Sequence, residues 1–299
     1  MKKITIFTPT FNRAFCINKL YESLVNQSCQ DFIWLIIDDG SKDKTKDLIQ
    51  CWINENKIEI QYIYQENQGM HGAHNLAYRN IKTELNTCID SDDYMPINAI
   101  EEILNCWNNL ENRNNYAGII GLDINKNNKI IGTQFDECLK QTTLTGFYEK
   151  GGKGDKKLVY RTEIINKYPE YPIFESEKYV SLAYKYILID QDYNLVILNK
   201  PLVVVKYLED GSSLNMLQQY TKNPKGFAFI RTINMQYKNR FSRKFIECIH
   251  YVSSSIMSKN INFIKESPLK ILTFLAIPLG LILFLYIQYK TKIQKLIKI

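Results

Sequence analysis

Three carboxylates stand within four residues directly after a short apolar run: Asp90, Asp92 and Asp93 follow Cys88 and Ile89. An apolar run of this kind predicts a buried strand that delivers the acids to the edge of a sheet. Like charges this close destabilise a fold, whereas a divalent cation with oxygen ligands turns their repulsion into a binding site. The acidic turn (residues 90–93) therefore predicts a cation site. The alternative is a solvated turn in which Asp93 is the N-cap of a helix.

Two further polar segments also follow predicted strands, at residues 9–13 (Pro-Thr-Phe-Asn-Arg) and 38–41 (Asp-Asp-Gly-Ser). The predicted strands are 4–8, 32–38, 58–64 and 85–90. They alternate with predicted helices at 15–25, 44–53 and 71–81, where apolar residues recur at helical spacing. This order predicts an α/β fold with a parallel sheet and helices on both faces. Ligands collect at the carboxyl ends of such strands, so we expect the three polar segments to converge on one crevice.

Beyond residue 116 the alternation gives way to shorter predicted strands and loops, as far as about residue 215. The glycine-rich stretch 151–154 lacks the Gly-Lys-Ser/Thr ending of a P-loop and is interpreted as a flexible loop. From Gly226 onward, apolar residues recur at three- and four-residue steps, which predicts amphipathic helices. The members of this stripe are Ile230, Ile233, Tyr237, Phe241, Phe245, Ile249, Val252 and Ile256.

Taken together, residues 8–13, 37–43, 67–69 and 90–93 resemble, in type and spacing, the nucleotide-sugar-binding half of glycosyltransferase family 2. The resemblance is strong over residues 1–110 and looser over 140–226. It implies the GT-A fold, an α/β, Rossmann-like mixed sheet flanked by helices.

The predicted domains are a catalytic domain at 1–225, whose donor half is 1–110 and whose acceptor-side half is 111–225, and a C-terminal helical segment at 226–299. We expect the C-terminal segment to associate with a membrane through residues 271–287.

The resemblance also implies a site for a UDP-sugar. Its donor-binding residues would be Pro9, Thr10, Asn12, Arg13, Asp38, Asp39, Asn67, Gly69, His74, Asn75, Asp90, Ser91 and Asp93. Asp39 would bond the uracil ring, and Asp90 would lie near the ribose or the donor sugar. Asp92 would bind Mg²⁺ or Mn²⁺, with Asp90 or Asp93 assisting, and the metal would take up charge as the nucleoside diphosphate leaves.

One departure from the family pattern concerns the phosphates. Where the family often has Ala-Arg-Asn, this chain has Ala73-His74-Asn75. The missing arginine weakens phosphate binding unless His71, His74 or Arg79 replaces it. The alternative is that the two histidines only form ordinary hydrogen bonds near a helix N-terminus. Three histidines without a cysteine at ligand spacing do not predict zinc.

An inverting transfer needs a base beside the acceptor hydroxyl. The resemblance places an acidic motif at residues 174–179, where Glu177 is the first choice and Glu175 the alternative. Either acid could instead be a first-turn or capping residue that the helix dipole favours. Tyr207 and Asp210 would lie on the acceptor side, unless they form a plain Asp-Gly turn.

The net charge of +7 is distributed unevenly. From Lys222 to the end, 14 Lys and Arg face two Glu, about +12, so the remainder is negative. Residues 271–287 carry no charge and would span about 25 Å as a helix, somewhat less than the roughly 30 Å hydrocarbon core. Lysines on both sides, with Pro278 and Gly280 between, favour an interfacial or re-entrant segment on an anionic membrane over a crossing, and the alternative is a buried core helix.

These features predict a bacterial, metal-dependent, inverting glycosyltransferase at the cytoplasmic face of the cell membrane. The acceptor would be lipid-linked or a polysaccharide. Seven cysteines without a CxxC pair, and a start without an apolar leader, agree with a reducing cytosol.

Two other readings stay open: a GT-A scaffold or carbohydrate-binding relative without turnover, and a sugar nucleotidyltransferase. The apolar stretch inside the basic segment excludes nucleic acid as the expected partner. The sequence predicts neither the sugar, the linkage nor the oligomeric state.

Overall fold

The computed structural model describes residues 2–206, 216–237 and 241–297. They form two compact units, of which the first comprises Met1–Glu170 with Lys185–Leu208. The second comprises Tyr171–Tyr184 with Glu209–Ile299.

The first unit is built on a mixed sheet with the strand order β3-β2-β1-β4-β7-β5-β8-β6. Its strands are β1 (Ile4–Thr10), β2 (Phe32–Asp38), β3 (Ile60–Tyr64), β4 (Leu85–Cys88), β5 (Tyr116–Ile124), β6 (Gln141–Thr142), β7 (Lys156–Arg161) and β8 (Asn194–Val204). Strands β1 to β4 are mutually parallel where they pair. Strand β1 is buried along its whole length, as expected for a parallel strand covered on both faces.

The helices of the first unit are α1 (Asn18–Val25), α2 (Thr45–Glu55), α3 (Met70–Asn80), α4 (Ala99–Asn108), α5 (Leu144–Glu149), α6 (Thr162–Lys167) and α7 (Ala183–Asp192), of which α7 begins in the second unit. The four strands and three helices predicted before residue 91 are all present, with ends shifted by a few residues. Tyr21 of α1 and Trp52 of α2 stack at 4.3 Å, and Trp34 of β2 donates to Thr8 Oγ1. Helices α1 and α2 thus bury their apolar faces against the parallel half of the sheet.

The second half of the sheet differs from the expectation of short strands. Strand β5 has nine residues and β8 eleven, and they run parallel to each other. Strand β7 runs antiparallel between β4 and β5. At Gly118, φ is +152° and an added Cβ would lie 1.9 Å from the Val159 carbonyl oxygen, so only glycine fits where β5 meets β7.

The second unit is mostly helical in its described part after residue 216, whereas residues 171–182 form a loop. Its helices are α8 (Met216–Lys222), α9 (Pro224–Tyr237), α10 (Phe241–Met257), α11 (Phe263–Glu266), α12 (Lys270–Leu275) and α13 (Ile277–Ile297). The predicted apolar stripe from residue 230 onward is divided between α9 and α10. Cys248, Tyr251 and Val252 of α10 form a core with Met235 of α9 and Ala276. None of the described helices combines the length and hydropathy that crossing a membrane requires.

Candidate active site

The three predicted polar segments meet at the carboxyl edge of the sheet. Strands β1, β2 and β4 are parallel, and Thr10 pairs with Asp38 in register. The Asp39 amide donates to the Thr10 carbonyl oxygen at 2.8 Å, and the Ile89 amide donates to the Phe7 carbonyl oxygen at 3.0 Å. The strands therefore deliver the ends of all three segments to one edge, as the sequence predicts.

The carboxylates of Asp38 and Asp39 are buried and hold the loops of this edge. Asp38 accepts the Ser41 amide and the Tyr62 hydroxyl, at 2.8 and 2.7 Å. Burial, followed by the bond to Asp38, raises the pKa of Tyr62. Asp39 accepts three N–H groups, two from the backbone of Gln68 and Gly69 and one from the Gln65 side chain. Asp39 thereby fixes the loop that leads into helix α3.

Two glycines in the loops beside Asp39 take backbone conformations that other residues avoid. Gly69, the N-cap of α3, has φ +82°, and Gly40 has φ +91°. A Cβ at Gly40 would lie 3.0 Å from the Asn67 amide nitrogen, so the loop of residues 38–41 passes close to residue 67. Asn67 and Gly69 are thus placed beside the loop of residues 38–41.

The loop after β1 is tied to the loop after β2. The Asn12 amide donates to Ser41 Oγ, and Asn12 Oδ1 accepts the Lys42 amide, both at 2.8 Å. The Arg13 amide donates to Thr45 Oγ1 at 3.1 Å. Pro9 and Thr10 are buried at the end of β1. The first and second polar segments therefore form one wall.

The carboxylates of the acidic turn differ in exposure. Asp90 is exposed, Asp92 is half-buried, and Ser91 and Asp93 are buried. Asp93 Oδ1 accepts the Lys206 amide at 2.9 Å. Burial raises the pKa of Asp93 to about 7, with the charges of Asp90 and Asp92 adding to the effect. The N-cap of the following helix α4 is Asn98, so the alternative reading of Asp93 as an N-cap is wrong.

The donor atoms of the acidic turn suit a hard divalent cation, since carboxylate oxygens are the ligands that Mg²⁺ and Mn²⁺ prefer. No set of three or more His, Cys, Asp or Glu side chains in the described residues is arranged to hold a metal ion. Mg²⁺ is commonly bound by one or two carboxylates together with substrate phosphates. Asp92 with Asp90 fits such a shared site.

Sequence reasoning missed two charged residues at the same edge, Asp123 near the end of β5 and Lys157 near the start of β7. Lys157 Nζ donates to the Cys88 carbonyl oxygen at 2.9 Å. Asp123 is buried, and its charge interacts with those of Lys157 and Asp90. An available signal for Asp123 was an aspartate that follows the apolar run 117–122. The position of Lys157 depends on the pairing of β7, which the sequence pattern did not indicate.

The two histidines of α3 are buried. His74 is completely buried, and its ring packs edge-on against Phe7 with centroids 5.0 Å apart. Burial, then the positive charge of Lys185, lowers the pKa of His74 to about 3. A neutral, enclosed imidazole does not replace the arginine of the family pattern. The predicted donor role of His74 therefore gains no support from its place in the fold, and His71 is enclosed as well.

Asn75 is buried too, and it lines a cavity of about 210 Å³ together with Tyr78, Arg79, Glu170 and Lys185. This cavity lies along the later turns of α3, whereas Gly69 beside Asp39 is at its first turn. The predicted donor role of Asn75 thus gains no support from its place in the fold.

The candidate bases belong to the second unit. Glu177 is buried, and its two carboxylate oxygens accept the amides of Lys225 and Gly226, each at 2.9 Å. These amides open helix α9, so Glu177 caps that helix. Glu175 is exposed. Tyr207 and Asp210 lie outside the described residues.

A mixed α/β sheet flanked by helices, with acids at the carboxyl ends of its parallel strands, is consistent with the GT-A class of glycosyltransferase fold. The chain belongs to glycosyl transferase family 2, whose family model matches residues 5–169. The family predicted from the sequence is confirmed.

Named relatives agree with this class. A Campylobacter jejuni GalNAc(5)-diNAcBac-PP-undecaprenol beta-1,3-glucosyltransferase is 30% identical over 106 residues, which is 35% of this chain and 34% of that protein. The chain spans about a third of the length of that relative, and the matches to other curated relatives cover 42% of their length or less.

Two solved structures share the fold at low sequence identity. The S. aureus TarS 1–349 complex with UDP-GlcNAc has a TM-score of 0.59 at 17% identity, covering 90% of this chain and 77% of that one. The mannosyltransferase PcManGT from Pyrobaculum calidifontis, in complex with GDP-Man and Mn²⁺, has a TM-score of 0.52 at 14% identity, covering 93% and 72%.

Proposed function

We propose that this protein transfers one sugar, with inversion, from a UDP-sugar to a lipid-linked or polysaccharide acceptor at the cytoplasmic face of a bacterial membrane. The observation that carries the proposal is the convergence of Asp39, Asp90 and Asp92 at one edge of the sheet, in a chain of glycosyl transferase family 2. UDP-GlcNAc bound to TarS supports the donor class, and the undecaprenol-linked substrate named for the Campylobacter relative supports the acceptor class.

In this proposal Asp92 binds Mg²⁺ or Mn²⁺, and Asp90 assists. The metal, when bound, offsets the charge that develops on the leaving nucleoside diphosphate. Asp93 orders the turn, since its carboxylate holds the Lys206 amide and its own amide donates to the Asp90 carbonyl oxygen. The Mn²⁺ reported with PcManGT supports the choice of a divalent cation.

Asp39 would bond the uracil ring through lone pairs that remain on its oxygens, since each carboxylate oxygen can accept two hydrogen bonds. The protein N–H groups that Asp39 already accepts hold it in one orientation. A group fixed in advance loses little freedom when the donor binds.

We assign the general base to Glu175 rather than to Glu177, reversing the order suggested by the sequence. A base must present a lone pair to the acceptor hydroxyl. Glu177 is buried against the amides that open α9, so its remaining lone pairs are not presented to an acceptor, whereas Glu175 is exposed.

The test of the proposed reaction is the variant Asp92→Asn, with Asp47→Asn as a matched exposed control outside the site. UDP release from a panel of UDP-sugars is measured in Mn²⁺, with membrane extract as the source of acceptor. We expect Asp92→Asn to lose turnover by a factor of at least 10² while its thermal unfolding is unchanged, and Asp47→Asn to keep full turnover. Full activity of Asp92→Asn would remove the metal from the mechanism.

The proposed membrane contact rests on an exposed apolar stripe that runs along α12 and α13. Its members are exposed and lie one to four residues apart: Ile271, Phe274, Leu275, Leu279, Leu281, Ile282, Leu285, Tyr286 and Tyr289. The opposite face of these helices is buried, with Thr273, Ala276, Gly280 and Ile287 directed into the second unit. Lys270, Lys290 and Lys292 at the ends of the stripe are exposed.

A helix packed on one face and apolar on the other suits attachment in the plane of a membrane surface. An exposed apolar surface of this extent rimmed by lysines is also unusual for a surface that meets only water. We therefore propose monotopic attachment to an anionic bilayer.

Flotation with vesicles of phosphatidylglycerol and phosphatidylcholine tests the attachment. The double variant Ile282→Glu/Leu285→Glu should lower binding at least tenfold, whereas Gln288→Glu, at the flank of the stripe, should lower it less than threefold. Equal loss in both variants would point to charge alone and contradict insertion of the stripe.

A further inference from the structure

Strand β7 brings a lysine into the acidic edge of the sheet. It runs antiparallel to β4, with Thr87 opposite Val159, so Lys157 lies level with the residues just after β4. Lys157 Nζ bonds the Cys88 carbonyl oxygen, and its charge interacts with those of Asp123, Asp90 and Asp93. This ammonium therefore stands beside the acidic turn, on the side away from Asp39.

Asp123 reaches the same place from β5. Its side chain is 3% exposed, and its Oδ1 atom has no hydrogen-bond partner among the described residues. Its carbonyl oxygen accepts the Ile131 amide and keeps the strand in place without help from the side chain. Burial raises the pKa of Asp123 to about 6, and Lys157 opposes that rise.

A buried carboxylate oxygen without a donor destabilises the fold, and such atoms in native proteins call for an explanation. The positive charge of Lys157 offsets the negative charge of this carboxylate, but no donor in the described part of the chain bonds Oδ1. The site thus contains an acceptor whose donor is missing, next to the acid predicted to lie near the donor sugar.

We propose that Asp123 and Lys157 form the subsite for the transferred sugar, in which Asp123 Oδ1 accepts a hydrogen bond from a sugar hydroxyl. Lys157 is the positioning residue that holds this carboxylate charged. The inference rests on the proposed UDP-sugar function and narrows its substrate class.

A subsite of this kind admits hydroxyl groups and excludes carboxylates. A uronic acid would place its own negative charge among Asp123, Asp90 and Asp93, which outnumber the single ammonium of Lys157, and like charges in a desolvated site cost binding energy. The inferred donor sugar is therefore neutral.

The experiment measures the dissociation constants of UDP, UDP-glucose, UDP-GlcNAc and UDP-glucuronate by titration calorimetry in the presence of Mn²⁺. The proteins are the wild type, Asp123→Ala, Asp123→Asn and the control Asp155→Ala. Asp155 is an exposed carboxylate whose charge also acts on Asp123, so the control removes a nearby negative charge without removing the acceptor.

We expect wild type to bind at least one of the two neutral UDP-sugars more tightly than UDP and more tightly than UDP-glucuronate. Asp123→Ala should lose about 10- to 100-fold in affinity for that sugar nucleotide and less than twofold for UDP, as expected for loss of a hydrogen bond to a charged group. The affinity of Asp123→Asn for that sugar nucleotide should lie between those of wild type and Asp123→Ala, and the affinity of Asp155→Ala should match that of wild type. Retained UDP binding shows that each variant is folded.

Equal affinity of wild type and Asp123→Ala for the sugar nucleotide would overturn the subsite and leave the proposed donor class intact. A parallel loss of UDP and UDP-sugar in Asp123→Ala would overturn it as well, because the residue would then support the nucleotide or the fold. A wild type that binds neither UDP nor any UDP-sugar would overturn the proposed function itself, together with the subsite.

Discussion

The carboxylates of the site divide into those already bonded by the protein and those that face outward. Asp39 belongs to the first group, since it accepts three N–H groups from the loop that leads into α3. We expect Asp39→Ala to lower the free energy of unfolding by about 1–3 kcal/mol, because three donors lose their acceptor. Urea denaturation measures this, and Asp47→Ala, at an exposed position, should change stability by less than about 0.5 kcal/mol. A stable Asp39→Ala protein would contradict a structural role for this carboxylate.

Glu177 and Glu175 differ in the same way, since Glu177 is bonded by protein amides and Glu175 faces outward. Glu177→Gln should lower the unfolding free energy by about 1–2 kcal/mol, since it weakens the cap of α9. Glu175→Gln should leave stability nearly unchanged and lower turnover by about 10² to 10⁴, the contribution typical of a general base. Denaturation curves and UDP release are measured on both variants. Loss of turnover only in Glu177→Gln, with an intact fold, would restore the original assignment.

His74 predicts a pH dependence with a definite sign. Its pKa is about 3 in the folded protein, against about 6.5 in an unfolded chain, so only the unfolded chain gains a proton between these values. The stability that the neutral imidazole supports is present above pH 6.5 and is lost as pH falls. Relative to His74→Phe, wild type should lose about 2 kcal/mol between pH 7 and pH 5, measured by urea denaturation at both pH values. Parallel curves for the two proteins would show that His74 does not titrate in this way.

At the scale of the element, helices α10 and α13 approach closely at a glycine. A Cβ added at Gly280 would lie 2.5 Å from Val252 Cβ, so a larger residue forces the helices apart. We expect Gly280→Leu to destabilise the second unit by about 1–3 kcal/mol, the usual cost of overpacking. Limited proteolysis and thermal unfolding report the change. Unchanged thermal unfolding and proteolysis of Gly280→Leu would contradict the packing explanation.

The sequence could predict those helices and strands that depend on local patterns. The elements before residue 91 follow local patterns, in which apolar runs alternate with helical spacing, and these elements carry Asp39, Asp90 and Asp92 to one edge. The role of β7 depends on pairing between segments some 70 residues apart, for which no local pattern exists. Lys157 was missed for this reason, whereas Asp123 had a local signal in the apolar run 117–122 that precedes it. The burial of His74 was missed because Phe7, against which its ring packs, belongs to β1, and spacing along α3 does not specify that contact.

At the scale of the whole molecule, charge and apolar surface are concentrated toward the carboxyl terminus. If this region binds anionic lipid, salt should weaken the electrostatic part and leave the apolar part. Binding to phosphatidylglycerol vesicles should therefore fall severalfold between about 0.1 and 1 M NaCl, while weaker binding to pure phosphatidylcholine should change little. Flotation at both salt concentrations measures this. A complete loss of binding in high salt would show that the apolar stripe does not insert.

The order of strands across the sheet also has a consequence for biosynthesis. Strands β1 to β4 can pair as soon as residue 88 leaves the ribosome, but β5 has no partner in that nascent sheet, because its neighbours β7 and β8 are translated later. Lys157 arrives with β7, so the emerging chain carries its acidic turn without the nearby ammonium until that strand is inserted. Translation thus completes the parallel half first, and the half with Asp123 and Lys157 forms only when residues beyond about 160 have been made.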